Sequence, residues 1–205
     1  MRLLILSAVL AVAACNFQPE IRLGSGQGIP PVSGATEVSL ETLVCGDPIP
    51  AGPYTVTTKK VSGGCELSFD KDVEVLTAAD YQRIPELGSA TTLLQTVELK
   101  ITKLAFTDAT TDIALNPMSQ IASATLLVNG QVVGDKTLLS ALPRTVSLTG
   151  AALQAFKSKV DQRVPASVRA TSLIVLPESP PPPKKLRIEY DAQPTLVLGA
   201  GELKL

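Results

Sequence analysis

The sequence predicts a mainly β protein, an antiparallel β-sandwich or barrel-like sheet carrying one or two short helices. Three observations lead there. From Glu37 onward most apolar runs alternate with polar residues at period two. Turn-forming groups such as Gly46-Asp47-Pro48, Ser62-Gly63-Gly64 and Asn129-Gly130 punctuate those runs. Only two places, after Thr77 and after Thr149, carry helix-start signals. Many short strands with few helices fit packed or curled antiparallel sheets.

Taken in order, Val38, Leu40 and Leu43-Val44-Cys45 read as a first strand that stops at Gly46-Asp47-Pro48. Residues 54–61 are rich in β-branched side chains and turn at Ser62-Gly63-Gly64 into residues 65–69, where Cys65, Leu67 and Phe69 oppose Glu66 and Ser68. Thr77-Ala78-Ala79-Asp80 resembles a capping box with Asp in place of Glu, opening a short helix that Pro85 ends. In residues 95–106, Val97, Leu99 and Ile101 share one face, while Leu104 and Phe106 fall on the other phase. This predicts a bulge near Lys103. Residues 124–133 read as a hairpin about Asn129-Gly130, pairing Val128 with Gln131 and Leu126 with Val133. Thr149 caps a helix over 150–164 whose Leu153, Phe156, Val160 and Val164 form one apolar stripe, which packs onto the sheet. Residues 167–176 form a strand, 180–183 a stiff polyproline connector, and Leu186, Ile188 and Tyr190 alternate before a last strand at 195–198. Residues 37–205 therefore make one β-rich domain, with a candidate sub-boundary near 85–89.

The opening segment is different. Arg2 is the only charge before Glu20, and residues 3–14 are apolar except for Ser7. Twelve helical residues reach about 18 Å against the ~30 Å hydrocarbon core, so they do not span a bilayer. A basic residue, a short apolar core and small residues ahead of a cut site mark residues 1–14 as a secretory signal peptide. Val12-Ala13-Ala14-Cys15 resembles a bacterial lipobox. That resemblance implies cleavage before Cys15, a diacylglycerol thioether on its sulfur and an acylated amino terminus, which together hold a protein stably on a membrane. It places the protein in the bacterial envelope, and Asn16, standing where an inner-membrane retention Asp would be, points to the outer membrane. Residues 15–36, with four glycines and three prolines, are expected to be a lipidated flexible tether reaching about 25 Å. Gly24-Ser25-Gly26-Gln27-Gly28 is no phosphate loop, because Ile29-Pro30-Pro31 blocks the helix such a loop must open.

With Cys15 lipidated, Cys45 and Cys65 remain as a pair in an oxidising compartment, expected to form a structural disulfide worth about 3 kcal/mol. The 191 residues from Cys15 onward carry 17 basic and 19 acidic side chains with no basic cluster, which argues against nucleic acid. Trp is absent and aromatics are few, a poor supply of stacking platforms for sugars or bases.

Histidine is absent, which excludes a Ser-His-Asp triad, a Cys-His dyad and an imidazole zinc site. Ser68-Phe69-Asp70-Lys71 matches the spacing of serine–lysine acyl enzymes, but Ser68 falls in an alternating strand rather than at a helix start, and no Lys-Thr-Gly follows. Asp70, Asp72 and Glu74 put three carboxylates on one strand face without the glycine and later glutamate of a calcium loop, so a solvated face is expected. Asn116-Pro117, the hairpin at Val128-Asn129-Gly130 and the strands after it are similar in layout to bacterial LEA type 2 β-sandwich lipoproteins over about residues 95–198, which implies a two-sheet sandwich. The expected protein is thus an anchored envelope lipoprotein with a non-enzymatic binding, structural or interaction role. Its partners are the membrane, through the anchor, and an envelope protein, and it has no cofactor or metal. The competing expectation is a periplasmic hydrolase using carboxylates or a Ser-Lys pair.

Overall fold

The computed structural model describes residues 21–24, 28–51, 54–84, 87, 94–115, 121–128, 130–134, 142–178 and 182–199. The signal segment, Cys15 and Asn116-Pro117 lie outside the described residues. In chain order the elements are β1 (Ile21–Leu23), β2 (Val32–Ser39), β3 (Ile49–Ala51), β4 (Tyr54–Val61), β5 (Gly64–Leu76), α1 (Ala78–Arg83), β6 (Leu94–Asp108), β7 (Ile113–Ala114), β8 (Ser123–Val128), β9 (Gln131–Gly134), β10 (Arg144–Ser147), α2 (Gly150–Asp161), β11 (Ala166–Pro177) and β12 (Lys185–Leu198). Among the described residues no helix is long and apolar enough to cross a membrane.

The strands form two six-stranded antiparallel sheets, so the expected β-sandwich-like class holds, without barrel closure among the described strands. One sheet is built on β6 and β12. Along the free side of β12 lie β2 and then β1, and along that of β6 lie β10 and β7. The other runs β3-β4-β5-β11-β8-β9. Period-two alternation gives each sheet one apolar face, and burying the two faces against each other is what holds the layers together. One core cluster joins Val73, Val75 and Val168 to Leu99, Ile101 and Leu196; a second joins Leu67, Ile174 and Leu176 to Val38, Phe106 and Leu186. Strands from either side of 85–89 share both sheets, since β2 pairs β12 and β5 pairs β11, so the expected sub-boundary does not divide them.

The expected tether over 15–36 needs correction. Ile21–Leu23 and Val32–Ser39 are strands of the first sheet, paired to Leu196–Leu198 and Lys185–Ala192 respectively. Glycine and proline density hid them, yet Val32, Gly34, Thr36 and Val38 keep the period-two phase that an edge strand needs. Leu43-Val44-Cys45, expected to continue the first strand, instead forms a turn region beside β4. There the Thr58 hydroxyl accepts the Gly46 N–H at 2.7 Å and donates to the Asp47 carbonyl at 2.7 Å. Cys45 is disulfide-bonded to Cys65 at the head of β5, with Cα atoms 5.7 Å apart.

Other expectations meet the structure with small changes. The bulge near Lys103 is present: β12 pairs Asp191 with Lys103 and the next residue, Ala192, with Ile101, leaving Thr102 extra. The hairpin pairs Val128 with Gln131, and Gly130 takes a positive φ of 80°. A register shift after Leu126 pairs that residue with Gly134 rather than Val133. The last two expected strands are one, since β12 runs through Pro194. That proline sits opposite the gap between β2 and β1, where no described strand pairs along that side of β12. In α1, Asp80 accepts hydrogen bonds from the Thr77 N–H at 2.7 Å and the Thr77 hydroxyl at 2.8 Å, and Arg83 pairs with its other oxygen. In α2, Leu153, Phe156 and Val160 enter the first core cluster as expected, but the helix ends at Asp161, so Val164, expected to complete the stripe, lies beyond it and is only half-buried. The Tyr81 hydroxyl donates to the Val164 carbonyl at 3.0 Å, tying α1 to the chain just after α2.

Candidate functional site

Between the two core clusters the sandwich is not filled. A cavity of about 80 Å³ lies between the facing sheets. Its walls are the inward positions of six strands. Phe69, Val73 and Val75 come from β5, Leu99, Ile101 and Leu104 from β6, Leu126 and Val128 from β8, and Val168 and Ala170 from β11. Val32 from β2 and Ile188 with Ala192 from β12 complete the wall. The β6–β12 bulge falls at this wall, where its extra residue switches β6 from the Leu99–Ile101 phase to the Leu104–Phe106 phase. A bulge beside a site re-aims side chains in this way.

The polar part of the lining comes from Thr36 of β2, Asp70 and Lys71 of β5, Ser172 of β11, and Tyr190 and Asp191 of β12. β4 pairs β5 only as far as Phe69, so residues 70–76 meet no further described strand on that side. On β5, positions 67, 69, 73 and 75 are buried and positions 70, 72 and 74 exposed. By that alternation Lys71 occupies an inward position. Its ammonium lies over the Tyr190 ring, 5.0 Å from the centroid, a cation–π contact. Tyr190 is paired in register with Gly34. A Cβ built on Gly34 would overlap the Tyr190 hydroxyl, so only glycine leaves room for the ring to lie across β2.

Several charges in and beside this lining are paired. Asp70 accepts from Thr171 and from Arg169, the latter at 2.8 Å. These bonds, the Thr171 one first, hold its carboxyl below the usual range despite slight desolvation. Lys103 pairs with Glu189 at 2.8 Å; that hydrogen bond, and more weakly Asp191, pushes its pKa up. Arg187 bridges Glu37 at 2.7 Å and Asp112 at 2.8 Å on the outer face.

The residues singled out from sequence are distributed as follows. Cys15 lies outside the described residues, and Cys45 and Cys65 are bonded to each other. Asp70, Asp72 and Glu74 do share one exposed face of β5, with Arg169 of β11 across from them. Among the described residues no three His, Cys, Asp or Glu side chains gather as metal ligands would. Ser68 and Lys71 are not brought together, because strand alternation sends Ser68 to the outer face and Lys71 inward. Sequence reasoning weighed Lys71 only as a partner of Ser68. The better signal was its phase: a lysine between Phe69 and Val73 on an otherwise apolar face. No protein-family model matches the chain. No curated protein matches it significantly either.

Proposed function

We propose that this chain is a lipid-anchored module of the bacterial envelope that binds an apolar ligand between its sheets and performs no covalent chemistry on it. The observation that carries the reading is the unfilled apolar cavity between the two core clusters. Protein interiors are packed like organic crystals, and an apolar void costs about 24 cal/mol per Å³. An apolar cavity with a few polar groups in its lining has the make-up of a ligand pocket. Anchoring rests on Val12-Ala13-Ala14-Cys15. With β1 starting at Ile21, an anchor on Cys15 would keep the sandwich on a leash of at most about 20 Å.

Two measurements test the proposal. Cys15→Ala is expected to move the protein from the membrane fraction to the soluble one. In that soluble form, the uncharged probe 1-hexanol, small enough for the cavity, is expected to bind saturably by calorimetry, and Ala170→Phe, which fills the cavity from β11, is expected to abolish the binding heat while circular dichroism stays unchanged. Membrane retention by Cys15→Ala would refute the anchor; equal probe binding by folded Ala170→Phe would refute the cavity.

A further inference from the structure

We infer that the end of the sandwich closed by α2 rests on the membrane, with Lys157, Lys159 and Arg163 against anionic lipid headgroups and the Lys185 end of β12 held away; this rests on the anchoring part of the reading above. The first support is where the chain enters the fold. Ile21 is in register with Leu198, the last residue of β12, and Leu198 pairs on its other side with Leu94, the first residue of β6. The other sheet ends at the same place, since Leu76 and Ala166 pair with each other and share a core cluster with Leu94 and Leu198. Here α2 crosses between the sheets. Leu148, just before it, donates its N–H to the Val97 carbonyl of β6 at 2.8 Å, and Ala166, just after it, opens β11. Leu153, Phe156 and Val160 enter the core, so the opposite side of the helix is the outer surface of this end.

The leash decides which end can reach a bilayer. β12 has 14 residues and so spans about 45 Å. With its Lys185 end down, Ile21 would stand about that far from the surface, beyond the ~20 Å that the chain back to Cys15 can bridge. Charge then seats the α2 end. Residues 150–164 carry Lys157, Lys159 and Arg163 against one acid, Asp161. Lys159 and Arg163 are exposed and Lys157 half-buried, and among the described residues no salt bridge engages any of the three. Other acids near this end are occupied or turned aside. Asp80 is buried and bound by Arg83, Glu98 is bound by Arg22, and Asp72 and Glu74 are on the outer face of β5. At the far end cations are offset, with Lys59 in register with Glu66 and Lys185 beside the turn that follows Asp108. A Debye length of about 8 Å keeps those distant charges from acting on the headgroups.

Two experiments test the inference. In the first, the full chain carrying Cys15→Ala is sedimented with vesicles of phosphatidylcholine alone or mixed equally with phosphatidylglycerol. The mixed vesicles are expected to bind it about 30-fold better, because the net charge of residues 150–164 is two and each cation is worth about fivefold at an anionic surface. Lys157→Gln, Lys159→Gln and Arg163→Asn together are expected to remove the preference with circular dichroism unchanged; asparagine tolerates the positive φ of 54° at position 163. Lys159→Gln alone is expected to lower it about fivefold. In the second, the lipidated chain carries a fluorescent donor on Ala155→Cys, exposed on α2, or on Ile113→Cys, exposed at the far end. Energy transfer to acceptor lipids is expected to be strong from position 155 and weak from 113. No preference for anionic vesicles, a preference that survives the triple substitution, or equal transfer from the two positions would overturn the inference and leave the anchor standing. A chain with intact Cys15 that carries no lipid by mass spectrometry would overturn the anchor and the inference together.

Discussion

Replacing Cys45 and Cys65 together by alanine should cost about 4 kcal/mol, most of it through the unfolded chain. The two cysteines are 20 positions apart. For a loop of that size the chain-entropy relation gives about 3 kcal/mol at 25 °C. The folded side contributes less. Cys65 is 9 % exposed, and trimming its sulfur adds about 0.8 kcal/mol, the value of one buried methylene-sized group. The turn itself should survive, because the Thr58 hydroxyl still accepts the Gly46 N–H and donates to the Asp47 carbonyl, and neighbouring Val44 is 60 % exposed with little burial to lose. Urea unfolding followed by circular dichroism reads the result. With an m-value of roughly 2 kcal/mol per M, the midpoint should fall by about 2 M. The m-value itself should rise, because an unbridged denatured chain exposes more surface. A loss below about 1 kcal/mol, or an unchanged m-value, would refute an effect exerted through the unfolded chain.

Phe156→Ala should destabilise by about 3–5 kcal/mol, because Phe156 is 2 % exposed in the centre of the α2 stripe. An unchanged melting temperature with lost vesicle binding would make α2 a membrane element instead. Asp80→Ala should cost about 1–3 kcal/mol, since it removes the buried acceptor for two Thr77 donors and for the half-exposed Arg83. Asp80 also makes stability depend on acid. Burial alone pushes its pKa up, but the hydrogen bonds from the Thr77 N–H, the Thr77 hydroxyl and Arg83 outweigh this and leave it lowered. A lowered folded value means the stabilisation is complete above the unfolded value near 3.9 and fades as pH falls through the folded one. Asp80→Asn should therefore flatten the acid limb of stability against pH below about 4, and an unaltered limb would contradict the assignment.

Sequence patterning revealed the sandwich because each core strand buries alternate residues, and period two survives in one dimension. Val97, Leu99 and Ile101 followed by Leu104 and Phe106 betrayed the bulge for the same reason: an inserted residue shifts the phase. The misses occur where a local signal outweighed pairing. Glycines and prolines hid β1 and β2, which gain their order from the long edge of β12 rather than from their own composition. Pro194 split β12 on paper, but it falls at a stretch of that edge where no described partner needs its N–H. The cavity was illegible for a different reason. Its wall is assembled from inward residues of six strands far apart in the chain, and a void is the absence of a contact, which no residue pattern encodes. Lys71 alone left a trace, as a charge in an apolar phase, and Ser68 drew attention away from it.

The most direct measurement is methyl NMR of the soluble Cys15→Ala chain titrated with 1-hexanol. Ligand seated between the sheets should shift and broaden the methyls of Val73, Leu99, Val128 and Val168, which line the cavity from four strands. Leu176 and Leu186, fully buried in the second core cluster, and Leu153 on α2 should remain in place. Saturable shifts confined to the first group are the predicted result. Shifts confined to surface methyls such as Val44 and Ile113, or no saturable shift at all, would contradict a ligand site inside the sandwich.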